Sequence, residues 1–189
     1  LPHVEEVLRG RKVSFTTWVD YKGAGKRYVQ INYIPHLDER GVVLGFLAFI
    51  LDFTERKRAE EALKLSEQLA NDALRTSVLI VLGRLMEYQS RFAEARNYNW
   101  QALALAAQRG DQRTEGGVLG NLGGIHHALG EMEHARSHYE RALALASEVG
   151  DRRWEGNGRC NLGLLYQEQG RNAEARTQFD LALATAREI

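Results

Sequence analysis

The stretch Asn121-Leu122-Gly123-Gly124 returns forty residues later as Asn161-Leu162-Gly163-Leu164, and its Leu-Gly core stands forty residues earlier as Leu82-Gly83. Working outward from these pairs, the register holds. Ala95-Arg96 falls on Ala135-Arg136 and Ala175-Arg176, and Ala102-Leu103-Ala104 falls on Ala142-Leu143-Ala144 and Ala182-Leu183-Ala184. The units are 71–110, 111–150 and 151–189. A fixed period of this length predicts a stacked array in which each unit buries its apolar face against its neighbours. Such arrays present long concave surfaces, so the pattern points to binding rather than chemistry.

Each unit reads as helix, turn, helix. Gly110 and Gly150 suit the ends of helices, and Asp111 and Asp151 suit the N-caps that follow. The first helix of the second unit is expected to run to about Leu129, with turns at Gly130-Glu131 and Gly170-Arg171; the first unit has Ser90 in place of the turn glycine. The second helices carry Ala135, Tyr139, Ala142 and Leu143, then Ala173, Ala175, Phe179, Ala182 and Leu183. Alternating small and large residues let two helices approach closely.

Upstream of the repeats the pattern changes. Lys12–Tyr21 is rich in β-branched and aromatic residues, and Arg27–Ile34 alternates, with Tyr28, Gln30, Asn32 and Ile34 on one side. Lys22-Gly23-Ala24-Gly25-Lys26 and Asp38-Glu39-Arg40-Gly41 supply turns, and Pro35 is expected to end pairing. Val42–Phe53 is nearly all apolar, which predicts a strand buried on both faces. Thr54 then suits an N-cap, and a helix is expected from Glu55 to about Arg75, because Ala59, Ala62, Leu63, Ser66, Leu69, Ala70 and Ala73 recur at helical steps with no Gly or Pro between. The fold class is mixed and mainly α: a three-stranded antiparallel remnant at 1–54, a connecting helix at 55–70, and an α-solenoid of three helix-turn-helix repeats at 71–189.

Composition narrows the function classes. The 189 residues hold 25 basic and 25 acidic side chains, a formal net charge of zero, which argues against broad binding to nucleic acid or an anionic membrane. The single cysteine, Cys160, permits no intrachain disulfide and fits a reducing compartment, so a cytoplasmic location is expected. No apolar run reaches the length of a membrane span; the longest is Val42–Leu51. The chain begins without Met and stops at a repeat boundary, and is read as a fragment.

At its periodic columns the array resembles the tetratricopeptide repeat, in an extended form with Gly-Asp-Arg starts and Asn-Leu-Gly cores that occurs in cell-polarity adaptors and bacterial regulators. Leu122, Gly123, Ala135, Tyr139 and Ala142 match, as do Leu162, Gly163, Ala175, Phe179 and Ala182. Asn99 stands where the aromatic of the first unit belongs, the terminal proline is absent, and the period is forty instead of about 34. The first third resembles the C-terminal half of a PAS sensor domain. The signature is Leu51-Asp52-Phe53-Thr54-Glu55-Arg56-Lys57, in which an Asp-x-Thr triplet closes the last strand and starts a signalling helix. The earlier strands and short helices of a whole PAS core are not apparent, and Ile50 stands where flavin-binding members carry a polar amide, so no cofactor is expected.

The resemblance to tetratricopeptide repeats implies a partner peptide in the concave groove. Inner positions flanking the Leu-Gly pairs map to Arg84, Glu87 and Tyr88, to Gly117, Asn121, Gly124 and His127, and to Asn157, Cys160, Asn161, Leu164 and Gln167. Asparagine is a poor helix former, so Asn121 and Asn161 need another reason to be there. Either their amides bond a peptide backbone or they bond the neighbouring helix or water. Arg113, Arg152, Arg153 and Arg159 are expected near the same rim, either receiving acidic groups or pairing with Glu115 and Glu155 on a solvated face. The expected binding set is Arg84, Glu87, Asn121, His127, Asn157, Asn161, Gln167, Arg113 and Arg153.

Other clusters read as structural. His134 and His138 lie one turn apart, but the aligned columns of the first repeat hold Glu94 and Tyr98, and Glu131-x-x-His134 spans a turn without an evident partner. No metal site is therefore expected, and His126 is expected in a core position. Gly116–Gly124 and Lys22–Lys26 lack the context of phosphate loops. Cys160 reads as a small inner-face residue, and no catalytic triad or carboxylate pair stands out. The expected function is a non-enzymatic protein-interaction scaffold in signal transduction, binding a protein or peptide, with no nucleic-acid or membrane partner. The alternatives are a small-molecule sensor in the PAS-like part and a homodimer or structural spacer.

Overall fold

The computed structural model describes residues 2–23, 25–68 and 70–188. Ala24 in the first turn and Leu69 in the connecting helix lie outside the described residues, as does Ile189. The chain forms two compact units, Leu1–Glu61 and Ala62–Ile189.

The first unit opens with a short helix, α1 (Pro2–Leu8), which the sequence reading does not anticipate. It packs on the sheet through Val7, which is fully buried, and through His3, whose ring stacks 3.9 Å from that of Phe15. The sheet is an antiparallel meander of β1 (Val13–Tyr21), β2 (Gly25–Leu37) and β3 (Val43–Asp52), in the order β1-β2-β3.

Two expectations fail here. β2 does not end at Pro35, which pairs with Phe46. Tyr28 turns both its backbone groups toward β3, accepting from Phe53 N at 2.8 Å and donating to Thr54 at 2.9 Å. Backbone groups alternate in direction along a strand, so the nitrogen of Pro35 faces the β1 side. Pairing with β1 has already stopped at Val13 opposite Tyr33, so no bond is lost. Nor is β3 buried on both faces: Leu44, Leu47, Phe49, Ile50 and Leu51 are all exposed. It is an edge strand, and among the described residues no layer of its own unit covers these side chains.

At the end of β3, Asp52 Oδ1 accepts from the backbone N–H of Thr54 at 2.8 Å and also from its hydroxyl. The Thr54 hydroxyl oxygen in turn accepts from Tyr28 N. Thr54 is thus the first residue of α2 (Thr54–Gln68) and pins it to β2, instead of acting as the expected N-cap. The two bonds from Thr54 hold the Asp52 carboxyl below its ordinary range. The helix stops at Gln68 and not near Arg75, since Ala70 takes φ +48° and the Asn71 side chain accepts from Leu74 N at 2.9 Å, starting a new helix.

The second unit is a helical solenoid of α3 (Asp72–Tyr88), α4 (Phe92–Gln108), α5 (Gln112–Ala128), α6 (Met132–Glu148), α7 (Arg152–Glu168) and α8 (Asn172–Ala186). The protein as a whole is mixed and mainly helical. Asp111 and Asp151 cap α5 and α7 through the backbone N–H groups of Thr114 and Trp154, each at 3.1 Å. Leu79, Leu82, Met86, Leu119, Leu122, Ile125 and Leu165 form the buried spine. The glycines of the Leu-Gly pairs are steric necessities: a Cβ at Gly123 would lie 2.5 Å from Tyr139, and one at Gly163 would lie 2.5 Å from Phe179. In the first repeat the facing residue is Asn99, fully buried, which donates to Ala95 O at 2.8 Å.

Candidate functional site

Small residues on α5 and α7 leave space between the first helices of the second and third repeats. The result is a cleft of about 280 Å³ lined by Gly117, Gly120, Asn121, Trp154, Asn157 and Asn161, among others. The Trp154 indole forms one wall, 3.6 Å from where a Cβ of Gly117 would sit. Asn157 and Asn161 are one turn apart on α7 and so share a face. Neither side-chain amide has a hydrogen-bond partner among the described residues. Asn121 is partly committed: its amide donates to Asn99 Oδ1 on α4 at 3.3 Å, leaving its carbonyl oxygen. Asn99 thereby bridges two repeats, which explains an amide where the other repeats carry an aromatic.

Of the other expected site residues, Arg113 lines this cleft and Arg84 lines a neighbouring one, shared by Arg113, Gly117, Asn121 and Trp154. Glu87 and His127 lie farther along. His127 Nε2 meets Glu168 at 2.8 Å, and its ring stands edge-on to Tyr139. Glu87 Oε1 lies 3.8 Å from where a Cβ of Gly124 would sit. Burial raises the Glu87 carboxyl above its ordinary range against the opposing charge of Arg84. Burial, helped by the charges of Glu87 and Glu168, pushes the Tyr139 phenol up to about 12. This part of the face is acidic. Gln167 is exposed and lines none of these clefts, and Arg153 borders a separate depression with Val149 and Arg152.

The expected arginine rim is mostly spent internally. Arg113 reaches Asp151 at 2.8 Å, and Arg152 and Arg159 both reach the buried Glu155, each at 2.8 Å. The bonds from Arg159 and Arg152 hold the Glu155 carboxyl below its ordinary range. Glu115 pairs with Arg141 on α6 at 2.7 Å and not with Arg113. Arg153 is the cluster's one member without an ion pair among the described residues. Sequence reasoning passes over Trp154, whose signal is an exposed aromatic in the first turn of α7 where the aligned residues are Leu74 and Thr114.

Comparison with known proteins follows the same division. The family described as "Tetratricopeptide repeat" matches residues 115–188, and the family described as "PAS fold" matches residues 1–58. The chain therefore carries a tetratricopeptide repeat region and a PAS-fold segment. Both are types of module associated with protein interaction and sensing, and neither is generally enzymatic. No curated protein matches the chain. Among solved structures it resembles BtubC (BKLC) from P. vanneervenii, with 23% identity, a TM-score of 0.65, and coverage of 71% of this chain and 55% of that one. It also resembles a Rap protein complexed with Competence and Sporulation Factor, with 18% identity, a TM-score of 0.68, and coverage of 72% and 38%. A third is the TPR domain of Arabidopsis FLU, with 17% identity, a TM-score of 0.58, and coverage of 62% and 99%. At these identities the likeness is one of fold, and this chain spans less than two thirds of the first two. No helix among the described residues is long and apolar enough to cross a membrane.

Proposed function

We propose that the concave face of the repeats, centred on the cleft between α5 and α7, holds an extended segment of a partner protein. The carrying observation is the pair of uncommitted amides, Asn157 and Asn161, beside a glycine floor and the Trp154 wall. An extended backbone presents one donor and one acceptor per residue, and an asparagine amide answers both. Gly117 and Gly120 let that backbone approach, Trp154 offers a flat apolar surface, and Asn121 contributes its remaining carbonyl oxygen. Arg153, without an ion pair among the described residues, receives an acidic group of the partner, while Glu87 and Glu168 favour a basic one farther along. In this reading residues 71–189 are the scaffold, and the segments 1–54 and 55–70 supply its sensory or dimerising input in a cytoplasmic signalling protein.

The test is a peptide selected on the full chain from a displayed random library, with binding followed by fluorescence anisotropy. The double variant Asn121→Ala/Asn161→Ala and the cleft-filling Gly120→Leu should each weaken binding about tenfold or more, the equivalent of losing one or two hydrogen bonds, with helical circular dichroism unchanged. Unaltered affinity in both variants would remove the cleft from consideration.

A second reading rests on β3, whose exposed Leu44, Leu47 and Ile50 and free edge suit pairing with another copy. Sedimentation should then give a concentration-dependent mass that Leu47→Asp reduces.

A further inference from the structure

The joint between α5 and α6 differs chemically from the same joint in the neighbouring repeats. In the first repeat, Arg91 clasps Glu94 through two of its nitrogens, and Met86 is buried beside them. In the third, Arg171 clasps Glu174 and lies 4.3 Å over the Tyr166 ring. Forty residues from either set, the corresponding positions hold His126, Glu131 and His134. Tyr98 and Gln178 likewise correspond to His138. An apolar residue and an arginine–glutamate clasp have been exchanged together for imidazoles and a carboxylate.

The fold brings these groups to one point. His126 closes the last turn of α5 and is buried, Glu131 is the N-cap residue of α6, and His134 sits in the first turn of α6. Glu131 is the missing partner of the histidines: its carboxylate meets His126 Nδ1. One donor atom from each of His126, Glu131 and His134 lies within 4.8 Å of the other two. The His126 ring also stands 5.4 Å from that of His134 and 5.1 Å from that of His138.

We propose that His126, Glu131 and His134 bind a divalent first-row metal ion, zinc above all. Two imidazole nitrogens and one carboxylate oxygen are a zinc ligand set that leaves a fourth position for water or a further ligand. Donor atoms on a common shell around zinc stand roughly 3.4 Å apart, a closure within reach of the exposed His134 side chain by rotation of its own torsions. The ion takes the place of the hydrogen bond between His126 Nδ1 and the Glu131 carboxylate, the neutral imidazole keeping its one ring proton on Nε2. It would tie the last turn of α5 to the first turn of α6, whereas in the neighbouring repeats the arginine and glutamate pair three residues apart at the start of one and the same helix. This site stands on the α5–α6 joint, not in the peptide cleft, and is independent of the reading proposed for that cleft.

The experiment uses the full chain, stripped with a chelator and carrying Cys160→Ser to remove the lone exposed thiol. Zinc is titrated against a competing metal indicator, and thermal unfolding is recorded with and without the ion. One zinc per chain should bind at low micromolar concentration or tighter, with His134→Ala and Glu131→Gln each weakening it about tenfold or more. Saturating zinc should raise Tm by roughly 5 °C in the parent chain and by nothing measurable in the variants. His126→Met, which restores the residue of the first repeat, should abolish binding while keeping the fold. No stoichiometric uptake at about 100 µM zinc, or uptake equal in all three variants, would overturn the proposal.

Discussion

In the sheet, β3 exposes Leu44, Leu47, Phe49, Ile50 and Leu51, whereas in the repeats Leu79, Leu119, Leu122, Ile125 and Leu165 are out of reach of water. Both regions have regular backbones and strongly apolar segments, so the contrast lies in where burial comes from. A sheet has two faces, and each needs a covering layer from elsewhere in the chain or from another molecule. A helical repeat brings its own layer, since α5 packs on α6 within the unit and on α3 and α7 beyond it. Apolar sequence is therefore sufficient evidence of burial in the repeats but not in the sheet.

The sharpest test of this contrast sets a buried leucine against an exposed one. Leu119→Ala should cost about 3 kcal/mol, measured by denaturant unfolding of the full chain. Leu47→Ser should change stability by less than about 0.5 kcal/mol. Similar losses for both would mean that the face of β3 is covered in solution.

A smaller effect probes how the repeats achieve their close packing. Gly123→Ala places a methyl group 2.5 Å from the buried Tyr139 ring and should lose about 1–2 kcal/mol, overpacking outweighing the better helix propensity of alanine. Gly156→Ala, on α7 with nothing within 4 Å, should gain up to about 1 kcal/mol. A loss at both positions would show that the helices need flexible glycine and not merely space.

The smallest effects have opposite signs in the two regions. The Glu87 carboxyl is raised by burial, so the folded state holds its proton longer than the unfolded chain does. Stability falls as pH rises above the ordinary glutamate value, and Glu87→Gln should raise Tm at pH 7 with no gain below about pH 4. The Asp52 carboxyl is lowered by the bonds from Thr54. Its charge-dependent contribution is present above the ordinary aspartate value and is lost as pH falls through the folded one. Asp52→Ala should therefore lower Tm more at pH 7 than at about pH 2. Thermal scans across that range check both, and parallel pH profiles would break the contrast.

Part of the candidate cleft's lining was legible because helical spacing is rigid. Asn157 and Asn161 had to share a face, and the glycines of α5 had to leave room. Trp154 was not legible, because a residue in the first turn of a helix can face either the groove or solvent. Which of their two open roles the arginines take was not legible for a related reason: a long flexible side chain reaches many partners, and Glu155 drew in Arg152 and Arg159 while Arg113, in the cleft lining, pairs with Asp151. Val42–Phe53 was misjudged because an unbroken apolar run reports hydrophobicity but not the presence of a covering layer.

Periodicity alone was enough for the solenoid, its turns and its caps, because each repeat is a local unit whose pattern recurs at a fixed interval. Three-dimensional packing was needed for what lies between distant residues. Pro35 continued its strand because β1 had already ended. The connecting helix broke before Asn71, whose side chain captured the N–H of Leu74 in the first turn of α3. Asn99 became a bridge to Asn121, and Glu131 met His126 across a turn. Each of these depends on which groups the folded chain places within hydrogen-bond reach, a distance of about 3 Å that no spacing in the linear sequence encodes.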